Sequence, residues 1–403
     1  MKASRPRILY LAPCRPDAPS SGTQLRVLNV ARALREVGDL SIVVTAFAEE
    51  DCVCNSGRGG EFAVERFFPV QPVPPRGLRD RLRCAADPRF VNPHGHEIVP
   101  EGRDWLAKHL DDFDLVWLHH LKTANRSGRW AWQRSVMDID DVPSTYLRTV
   151  CCKGDSVPRR MRYGMKRWVA LRRERLLAER FSVLSVCSEA DRKYLDLRIP
   201  VHVIPNGFDA PPGEVIRKPS APPRIGFIGV FSYEPNLDGI RWFAEKCWPL
   251  IKRECPEAEL RLVGRDTDGS LKPEGQDICG LGYVENTSEE IGTWSAMIIP
   301  VHLGAGTRVK VADGFSRKVP MIATSLGAYG YAVKDSVEML IADSSEGFAA
   351  SCLKVIREPV ASAAMAERGW LRFQKEWSWD AIRPRIWATA EDCLARRTTA
   401  DRH

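Results

Sequence analysis

Short runs of apolar residues alternate with amphipathic helical patterns along most of the chain. In the first half, the apolar runs that predict buried strands are residues 8–12, 41–47, 115–118, 136–139 and 182–187. After the first run, Ser21 is placed to cap a helix. The apolar positions of that helix share one face, formed by Leu25, Leu28 and Leu34. Repeated alternation of strand and helix is the pattern of a parallel, doubly wound sheet.

The pattern breaks near Ala210 and then starts again. Two stretches rich in proline, residues 211–213 and 218–223, are typical of a linker between domains. Apolar runs resume at residues 224–229, 260–263, 297–300 and 320–324. A helix predicted after Pro235 has one apolar face, formed by Ile240, Phe243, Cys247 and Ile251. Because 403 residues are also many for one core, we predict two α/β domains, each a Rossmann-like doubly wound sheet.

Composition and charge indicate a globular protein but do not identify its ligand. Hydrophobic residues make up 44% and charged residues 28%, which is typical of a globular protein. No apolar run approaches the roughly 20 residues that span a bilayer, and the N-terminus lacks the pattern of a signal peptide, so we expect a cytoplasmic protein. The net charge of +7 suits an anionic partner, which could be nucleic acid, a membrane surface or a phosphorylated substrate.

The 12 cysteines give little support to a disulfide framework or to zinc. Cys52 and Cys54 are separated by one residue, and the sequence contains no Cys-x-x-Cys pair. Cys187 and Cys247 have apolar neighbours and are typical of small core residues. We therefore expect reduced, structural cysteines.

The strongest candidate for chemistry is the segment that runs from Gly304 to Asp313. It follows an apolar run and opens a helical pattern, so its glycines would let a ligand approach the backbone closely. The helix N-terminus offers amides and a partial positive charge to a phosphate, and Arg308 and Lys310 add full charges. A tight turn with solvated charges is the alternative interpretation, but Gly-x-Gly-Thr-Arg-x-Lys in this setting favours diphosphate binding.

Four stretches, in this order, carry a resemblance to a known family. They are residues 19–26, 203–209, 228–238 with 262–264, and 304–320 with 324–330. Nearly the whole chain resembles the family 4 retaining glycosyltransferases of the GT-B fold, and most of all the subgroup that makes bacterial surface polysaccharides. The resemblance implies two Rossmann-like domains that face a central cleft. Residues 1–210 would receive the acceptor, residues 211–378 would hold the nucleotide sugar, and a helix in residues 379–403 would cross back to the first domain before a frayed tail.

On this resemblance, the residues that meet the donor come from both halves of the chain. Gly22 lies in a loop that approaches the donor diphosphate, and His119 borders the transferred sugar. Arg308 and Lys310 meet phosphates, and together with His119 they are the predicted catalytic residues. Asp313 binds the ribose. The other predicted donor contacts lie in the glycine segment and in two turns that hold the base, and they are Gly304, Gly306, Thr307, Gly264, Arg265, Tyr283 and Val284.

The chain departs from the family pattern at four positions. Many relatives carry Glu-x7-Glu across the last stretch, where this chain has Ala305 and Asp313. Many also carry Arg and Lys in the third stretch, at the positions of Val230 and Pro235. The first two differences weaken the prediction of how the donor sugar is held. The other two leave Arg308 and Lys310 as the expected phosphate contacts.

An Asp-x-Asp pattern at Asp138 and Asp140 suggests a metal site, because two carboxylates can hold a hard cation beside a diphosphate. We reject that site, since three residues are a weak pattern and Arg308 and Lys310 already supply positive charge. We expect no metal and no cofactor, and we interpret the acids as residues that cap turns or bond nearby amides. Asp141 is a weak candidate for contact with the acceptor.

Two segments, residues 75–83 and 159–180, are rich in arginine and lysine. Met161, Met165 and Trp168 fall on one helical stripe of the second segment. A solvated helix face and docking on an anionic membrane surface both remain open. Nucleic acid is not an expected partner, because no known binding module accompanies the charge.

The predicted reaction is transfer of a sugar from a nucleoside-diphosphate sugar to a hydroxyl of a glycan or lipid-linked acceptor. The resemblance implies retention, no metal, and a role in making surface polysaccharide or another glycoconjugate, in the cytoplasm or on the inner face of the membrane. Two alternatives remain, a sugar-nucleotide epimerase on the same fold and a non-catalytic scaffold that binds nucleotide sugar or glycan. A dinucleotide dehydrogenase is disfavoured, because Val309 stands where its third glycine belongs.

Overall fold

A computed structural model describes residues 5–17, 21–47, 61–73, 77–89, 95–153, 156–211, 213, 215–275 and 277–400. These residues form two compact units. The first unit runs to Pro205 and resumes at Ile382, and the second is Asn206–Ala381. The residues just after Pro205 belong to the second unit because Phe208 donates its amide hydrogen to the carbonyl of Trp377 at 3.0 Å.

The first unit is built on an eight-stranded sheet. Its strands are β1 Arg7–Ala12, β2 Asp39–Ala46, β3 Arg66–Pro72, β4 His96–Ile98, β5 Leu115–His119, β6 Ser135–Ile139, β7 Val183–Val186 and β8 Val201–Val203. They lie in the order β4-β3-β2-β1-β5-β6-β7-β8, and each pair is parallel except β3 with β4. The direction of winding reverses between β1 and β5, so the ends of these two strands form the topological switch point where such folds bind ligands.

The helices of the first unit cover the sheet and follow its strands along the chain. They are α1 Gly22–Val37, α2 Leu78–Ala86, α3 Pro100–His109, α4 Leu121–Arg126, α5 Pro143–Cys152, α6 Val157–Glu174, α7 Leu177–Arg180 and α8 Glu189–Leu195, with a 3₁₀ turn at Leu110–Asp112. The side chain of Ser21 caps α1 by accepting the amide hydrogen of Gln24 at 3.3 Å. The predicted apolar face of α1 is buried at Leu25, Leu28 and Leu34.

The second unit repeats this architecture with six strands. They are β9 Arg224–Ile228, β10 Glu259–Val263, β11 Ile278–Gly280, β12 Ala296–Ile299, β13 Met321–Ala323 and β14 Leu340–Ile341. Their order is β11-β10-β9-β12-β13-β14, with every pair parallel. This is the Rossmann order, and its switch point lies between β9 and β12.

The remaining helices are α9 Glu234–Trp242, α10 Trp248–Glu254, α11 Thr287–Gly292, α12 Val309–Ser316, α13 Ser345–Arg357, α14 Pro359–Glu376 and α15 Trp379–Ala400. The predicted helix after Pro235 is divided by a π-helical turn at Phe243–Cys247, although its apolar face is fully buried. Pro249 in the first turn of α10 explains the π-helical turn. Its ring lacks an amide hydrogen and would clash with the carbonyl one turn earlier, and the wider turn relieves that clash.

From Ile382 onward, helix α15 is part of the first unit. The indole nitrogen of Trp387 donates to the carbonyl of Ala33 at 3.2 Å. Further along, Asp392 Oδ2 lies 2.9 Å from His202 Nε2. These contacts tie the end of the chain to helix α1 and strand β8.

The nine cysteines whose side chains the structure describes are free thiols, and Cys187 and Cys247 are completely buried, as expected of core residues. Cys52 and Cys54 lie outside the described residues. Among the helices described here, none combines the length and the apolar character needed to cross a membrane.

Candidate functional site

The predicted base-binding turns of the second unit pack tightly against the turn after β9. Gly264 directly follows β10 and has a φ of 127°, which favours glycine. A Cβ atom at this position would lie 2.1 Å from the carbonyl oxygen of Gly229, so no larger residue fits. The amide of Gly264 donates to the carbonyl of Gly282 at 2.8 Å. This bond brings the turn with Arg265 near the exposed Tyr283 and places both predicted turns together.

Val284, which follows Tyr283, is half-buried and packs on the apolar cluster of the second unit. Its side chain therefore supports this turn. The ring of Tyr283 is 70% exposed, so most of its aromatic surface faces solvent next to this turn.

The glycine segment after β12 adopts a conformation that requires its glycines. Gly304 has a φ of 124° and Gly306 a φ of 68°. A Cβ atom at Gly304 would come within 2.5 Å of Arg308 Nη2, so the absent side chain makes room for this guanidinium. Helix α12 begins at the next residue, Val309, and no side chain caps its first turn. The segment thus leads into a helix N-terminus that suits an anion.

Arg308 folds back on this loop. Its guanidinium donates to the carbonyls of Ala305 and Leu303, and its own carbonyl accepts the hydroxyl hydrogen of Tyr331 at 2.9 Å. The hydroxyl of Thr307 and the Nε atom of Arg308 are buried and have no hydrogen-bond partner in the part of the chain that the structure describes. Two buried polar atoms at one helix N-terminus are groups that a ligand could satisfy.

Lys310 reaches across the switch point of the second sheet. Its Nζ donates to Asn236 Oδ1 at 2.8 Å and lies 4.1 Å from the ring centroid of Phe227, while Asn236 donates in turn to the carbonyl of Val230 at 2.9 Å. Burial, and to a smaller extent the charge of Arg308, lowers the pKa of Lys310 to about 7. Asn236 and Phe227 were not predicted as site residues, because nothing in the local sequence marks them as partners of Lys310.

Within the described part of the chain, neither Arg308 nor Lys310 forms a salt bridge with a carboxylate. Arg308 is held by carbonyl oxygens and Lys310 by an amide oxygen, so neither side chain is paired with a negative charge. Ala305, which occupies the position of an acid in many relatives, is 3% exposed and packed in the loop. The edge of the second sheet therefore carries uncompensated positive charge, as an anion site requires.

Asp313 is buried in α12 and already has a partner. Its Oδ1 accepts from Arg317 Nε at 2.6 Å, and Arg317 also donates to Ser288 and Thr287 at 2.7 and 3.1 Å. Burial raises the pKa of Asp313, although the charge of Arg317 opposes that change. A ribose would have to share this carboxylate with Arg317, and the ribose contact stays a prediction.

In the first unit, a buried ion pair lies at the carboxyl end of the sheet. Asp138 in β6 accepts from Arg26 at 2.6 and 2.9 Å, from Ser185 Oγ at 2.7 Å, and lies 3.0 Å from His119 Nδ1. Although burial alone would raise the pKa of Asp138, the charge of Arg26 and the hydrogen bonds hold it well below its usual range. Our interpretation of Asp138 as a turn-capping residue was wrong, because side chains from α1, β5 and β7 surround it.

Arg26 is the residue of this network that sequence reasoning missed. Its side chain is fully buried, and Nη1 donates to the carbonyls of Ile204 and Pro205 at 3.0 and 3.2 Å. The one available signal was a charged residue between the apolar positions Leu25 and Val27 of a predicted helix. That position identifies a buried cation without revealing its partner.

His119 ends β5 directly beside Asp138, in register with it. Because the Asp138 carboxylate is ionised and can only accept, Nδ1 of His119 carries the hydrogen. Its other ring nitrogen, Nε2, is buried and has no hydrogen-bond partner among the described residues. The structure therefore places this predicted catalytic residue at the switch point. Its Nδ1 is bonded to Asp138, and its Nε2 has no partner among the described residues.

Next to His119, the chain turns sharply at His120. His120 has a φ of 68°, and its ring centroid lies 4.3 Å from that of His119. Its Nε2 atom is 4.0 Å from Asp140 Oδ2, while Asp140 Oδ1 accepts from the thiol of Cys187 at 3.0 Å. Burial and the neighbouring His119 lower the pKa of His120 to about 3, so this ring is neutral at neutral pH.

The other predicted contacts of the first unit lie around this edge. Gly22 is the first residue of α1, directly after the capping residue Ser21. Asp141 follows β6 and is exposed. Residues 19 and 20 of the first family stretch are outside the described residues.

A basic surface with an apolar stripe occupies helix α6. Val157, Met161, Met165 and Trp168 are 69%, 72%, 59% and 49% exposed. Arg172 lies 4.6 Å from the ring centroid of Trp168 and donates to α2 at two carbonyls. The basic stretch predicted at residues 75–83 is described from residue 77, where it leads into α2. We call the exposed face of α6 with these four apolar residues the α6 face.

Several solved structures have the same fold as this chain. Sucrose-phosphate synthase from Thermosynechococcus elongatus is 16% identical, with a TM-score of 0.66, over 98% of this chain and 100% of that one. HepE of Anabaena, solved in complex with UDP-glucose, is 15% identical, with a TM-score of 0.62, over 96% of this chain and 100% of that one. TarM is 9% identical, with a TM-score of 0.64, over 96% of this chain and 99% of that one. At these identities, the likeness shows the GT-B fold.

Two doubly wound sheets, each with polar residues gathered at its switch point, are consistent with the GT-B fold. Family models match both units, "Glycosyl transferase 4-like domain" over residues 21–207 and "Glycosyl transferases group 1" over residues 222–358. The chain belongs to this family of GT4-type glycosyltransferases. An "Uncharacterized 44.6 kDa protein in cps region" of Klebsiella pneumoniae is 24% identical over 133 residues, which are 30% of this chain and 34% of that protein.

Proposed function

We propose that the protein transfers a sugar from a nucleoside-diphosphate sugar to a hydroxyl group of a glycan or lipid-linked acceptor. The observation that carries this proposal is the uncompensated positive charge at the switch point of the second sheet. Arg308 and Lys310 lie there without an acidic partner among the described residues, beside the buried Thr307 hydroxyl at a helix N-terminus. A diphosphate supplies the negative charge and the acceptor oxygens that this arrangement lacks.

In this proposal, the second unit stabilises the leaving group. As the bond to the sugar breaks, negative charge grows on the diphosphate, and fixed positive groups nearby lower the barrier. Arg308 is already held by two carbonyls and Lys310 by Asn236, so they need little reorganisation. The transfer proceeds with retention, as the family implies, and needs neither metal nor cofactor. The HepE complex with UDP-glucose supports a nucleotide-sugar donor, with a hexose as the transferred group.

The first unit receives the acceptor and contributes His119 beside the transferred sugar. The ionised Asp138 holds the His119 ring so that Nε2 can accept a hydrogen bond from a sugar hydroxyl. Asp141, which is exposed after β6, is a candidate contact for the acceptor.

The α6 face supports an acceptor held at a membrane. Exposed Met161, Met165 and Trp168 can enter the headgroup region, and the surrounding Arg and Lys residues can meet anionic lipid. We propose peripheral docking on the inner face of the membrane and a role in making surface polysaccharide or a related glycoconjugate. The Klebsiella relative from a cps region supports that setting. Nucleic acid is not among the proposed partners.

Purified protein tests this proposal in two steps. A thermal-shift screen against nucleoside-diphosphate sugars identifies the donor, because a ligand that binds the native state raises the melting temperature. The donor found is then incubated with a panel of glycan and lipid-linked acceptors, and product is followed by mass spectrometry. Transfer that appears only when an acceptor is present supports the proposal. Conversion of the donor to an epimer without any acceptor would replace it with an epimerase.

Ala305 favours one alternative, a non-catalytic protein that binds nucleotide sugar. Its small, buried side chain stands where many relatives carry an acid, so a group that they use at the donor sugar is missing. Donor binding without turnover across the whole acceptor panel would support this alternative. An Ala305→Glu variant that gained turnover would locate the missing group.

A further inference from the structure

Two histidines and one aspartate meet at the carboxyl end of strands β5 and β6. One potential ligand atom each from His119, His120 and Asp140 lies within 4.8 Å of the other two. All three residues belong to the first unit. Imidazole nitrogens and a carboxylate oxygen are a ligand set that borderline divalent ions such as Zn²⁺ accept.

His119 is the strongest ligand of this group. Its Nε2 is fully buried and has no partner among the described residues, which leaves a polar atom unsatisfied at this point. The opposite nitrogen, Nδ1, donates to Asp138, so in the neutral ring it is Nε2 that carries the lone pair. A histidine held through its second nitrogen by a carboxylate is the usual arrangement around bound zinc, because the carboxylate sets the ring orientation and raises its basicity.

The other two residues lie close to His119 and to each other. The positive φ of His120, 68°, turns its ring back toward His119, with 4.3 Å between the ring centroids. His120 Nε2 lies 4.0 Å from Asp140 Oδ2, and the Cys187 thiol orients Asp140 through its other oxygen at 3.0 Å. Metal–ligand bonds of about 2.0–2.2 Å would require these atoms to approach one another by roughly 1 Å, which side-chain rotation supplies.

We propose that His119, His120 and Asp140 bind one borderline divalent cation of the Zn²⁺ type, and that the bound ion inhibits sugar transfer. The first part rests on the three side chains alone. The second part rests on the proposed function, in which His119 Nε2 meets the transferred sugar, because a metal on that nitrogen removes the acceptor that the sugar needs.

This proposal goes beyond the expectation of no metal drawn from the Asp-x-Asp pattern. The two aspartates of that pattern separate in the structure. Asp138 is enclosed by Arg26, Ser185 and His119, whereas Asp140 faces His120. Transfer itself still needs no metal, since the ion would occupy a place that belongs to the sugar.

Calorimetry of the full-length protein with ZnCl₂, without any nucleotide sugar, tests the site. We expect one ion per chain, and at least tenfold weaker affinity in His120→Asn and in Asp140→Asn. The matched control is His202→Asn, which removes another histidine with an aspartate partner, Asp392 at 2.9 Å, but without a third ligand nearby among the described residues. All cysteines are retained in every variant, so zinc bound by thiols contributes equally. Equal affinity in wild type, His120→Asn and Asp140→Asn would overturn the proposed site.

Co²⁺ provides a second readout, because an imidazole-bound cobalt ion absorbs visible light. The band should appear in wild type and His202→Asn and be lost in His120→Asn. In the transfer assay, Zn²⁺ should reduce the rate of wild type at least tenfold, and the ratio of inhibited to uninhibited rate should return toward one in His120→Asn. Equal inhibition of both proteins would overturn the inhibitory role. Absence of turnover with any donor would count against the proposed function, whereas calorimetry would still decide the metal site.

Discussion

The switch points of the two sheets have the same strand topology but differ in how their charged residues are paired. In the first unit, Arg26 and Asp138 neutralise each other inside the core, and His119 lies beside them with Nδ1 3.0 Å from Asp138. In the second unit, Arg308 and Lys310 are held by carbonyl and amide oxygens, and no carboxylate among the described residues pairs with them. The charges at the first sheet edge are therefore paired with each other, whereas those at the second edge have no carboxylate partner among the described residues.

In the proposed function, this difference suits the two sheet edges to different roles. The desolvation of a buried charge is offset when an opposite charge pairs with it. Such a charge can then hold a neighbouring group in place, as Asp138 holds the His119 ring. An unpaired, half-buried charge is poised to gain from an incoming anion. Five experiments test this contrast, beginning with the largest expected effect.

Removing Arg26 should destabilise the first unit strongly. Arg26→Met leaves Asp138 buried without its cation, which typically costs about 3–5 kcal/mol. Hydrogen exchange of peptides from β5 and β6 measures this loss in the first unit separately from the second. The control is Arg308→Met, which leaves no buried carboxylate unpaired and should leave exchange of β5 and β6 unchanged. A loss below about 1 kcal/mol in Arg26→Met would mean that the buried pair does not stabilise the first unit.

Removing Arg308 should weaken donor binding while preserving the fold. Loss of one charge-assisted contact should cost roughly 1.5–3 kcal/mol of binding free energy. Calorimetry with the donor from the thermal-shift screen gives this value. Arg253→Ala, which removes a cation with a 73% exposed side chain in the same unit, is the matched control and should bind normally. Unchanged affinity in Arg308→Ala would remove this residue from the site.

Donor affinity should depend on pH through Lys310. Its pKa of about 7 lies below that of an ordinary lysine, so the amine is charged below pH 7 and loses its proton as the pH rises through that value. A diphosphate favours the charged form, so affinity should fall by up to about tenfold for each pH unit above 7. Lys310→Arg, which stays charged, should show a flat profile between pH 6 and 8. Parallel profiles for both proteins would show that another group titrates.

Binding to anionic vesicles should depend on the α6 face. Each basic residue near an anionic surface contributes about 1 kcal/mol, and salt should weaken the association because it screens that attraction. Replacing Met161, Met165 and Trp168 by serine should reduce binding at every salt concentration, since insertion of apolar side chains is lost. Vesicle flotation measures both effects. Equal binding to neutral and anionic vesicles would exclude electrostatic docking.

The smallest expected effect is that of chelation. Because the proposed mechanism assigns the positive charge beside the leaving group to Arg308 and Lys310, excess EDTA should leave the transfer rate undiminished. If a trace of zinc occupied the site of His119, His120 and Asp140, chelation would raise the rate. Loss of transfer in EDTA and its recovery with manganese would overturn the metal-free mechanism.

Residues near one another in sequence determined much of the architecture. The apolar runs predicted the central strands of both sheets, because strands covered on both faces must be apolar at nearly every position. Ser21 marked the start of α1, and the conformation of the loop at Gly304 and Gly306 follows from glycine itself. The glycine loop, followed by basic residues at a helix start, identified the candidate anion site without any knowledge of distant contacts.

Only the tertiary structure decided which polar residues are partners. Arg26 and Asp138 are 112 positions apart, and Lys310 and Asn236 are 74 apart, so no local pattern joins them. They meet because β1, β5 and β6 are consecutive in the first sheet and β9 lies next to β12 in the second. The helices that follow β1, β9 and β12 therefore begin at the sheet edges where these residues lie. The periodicity of apolar residues along the sequence indicates whether a position is buried. The partner of a buried charge depends instead on which strand lies beside it.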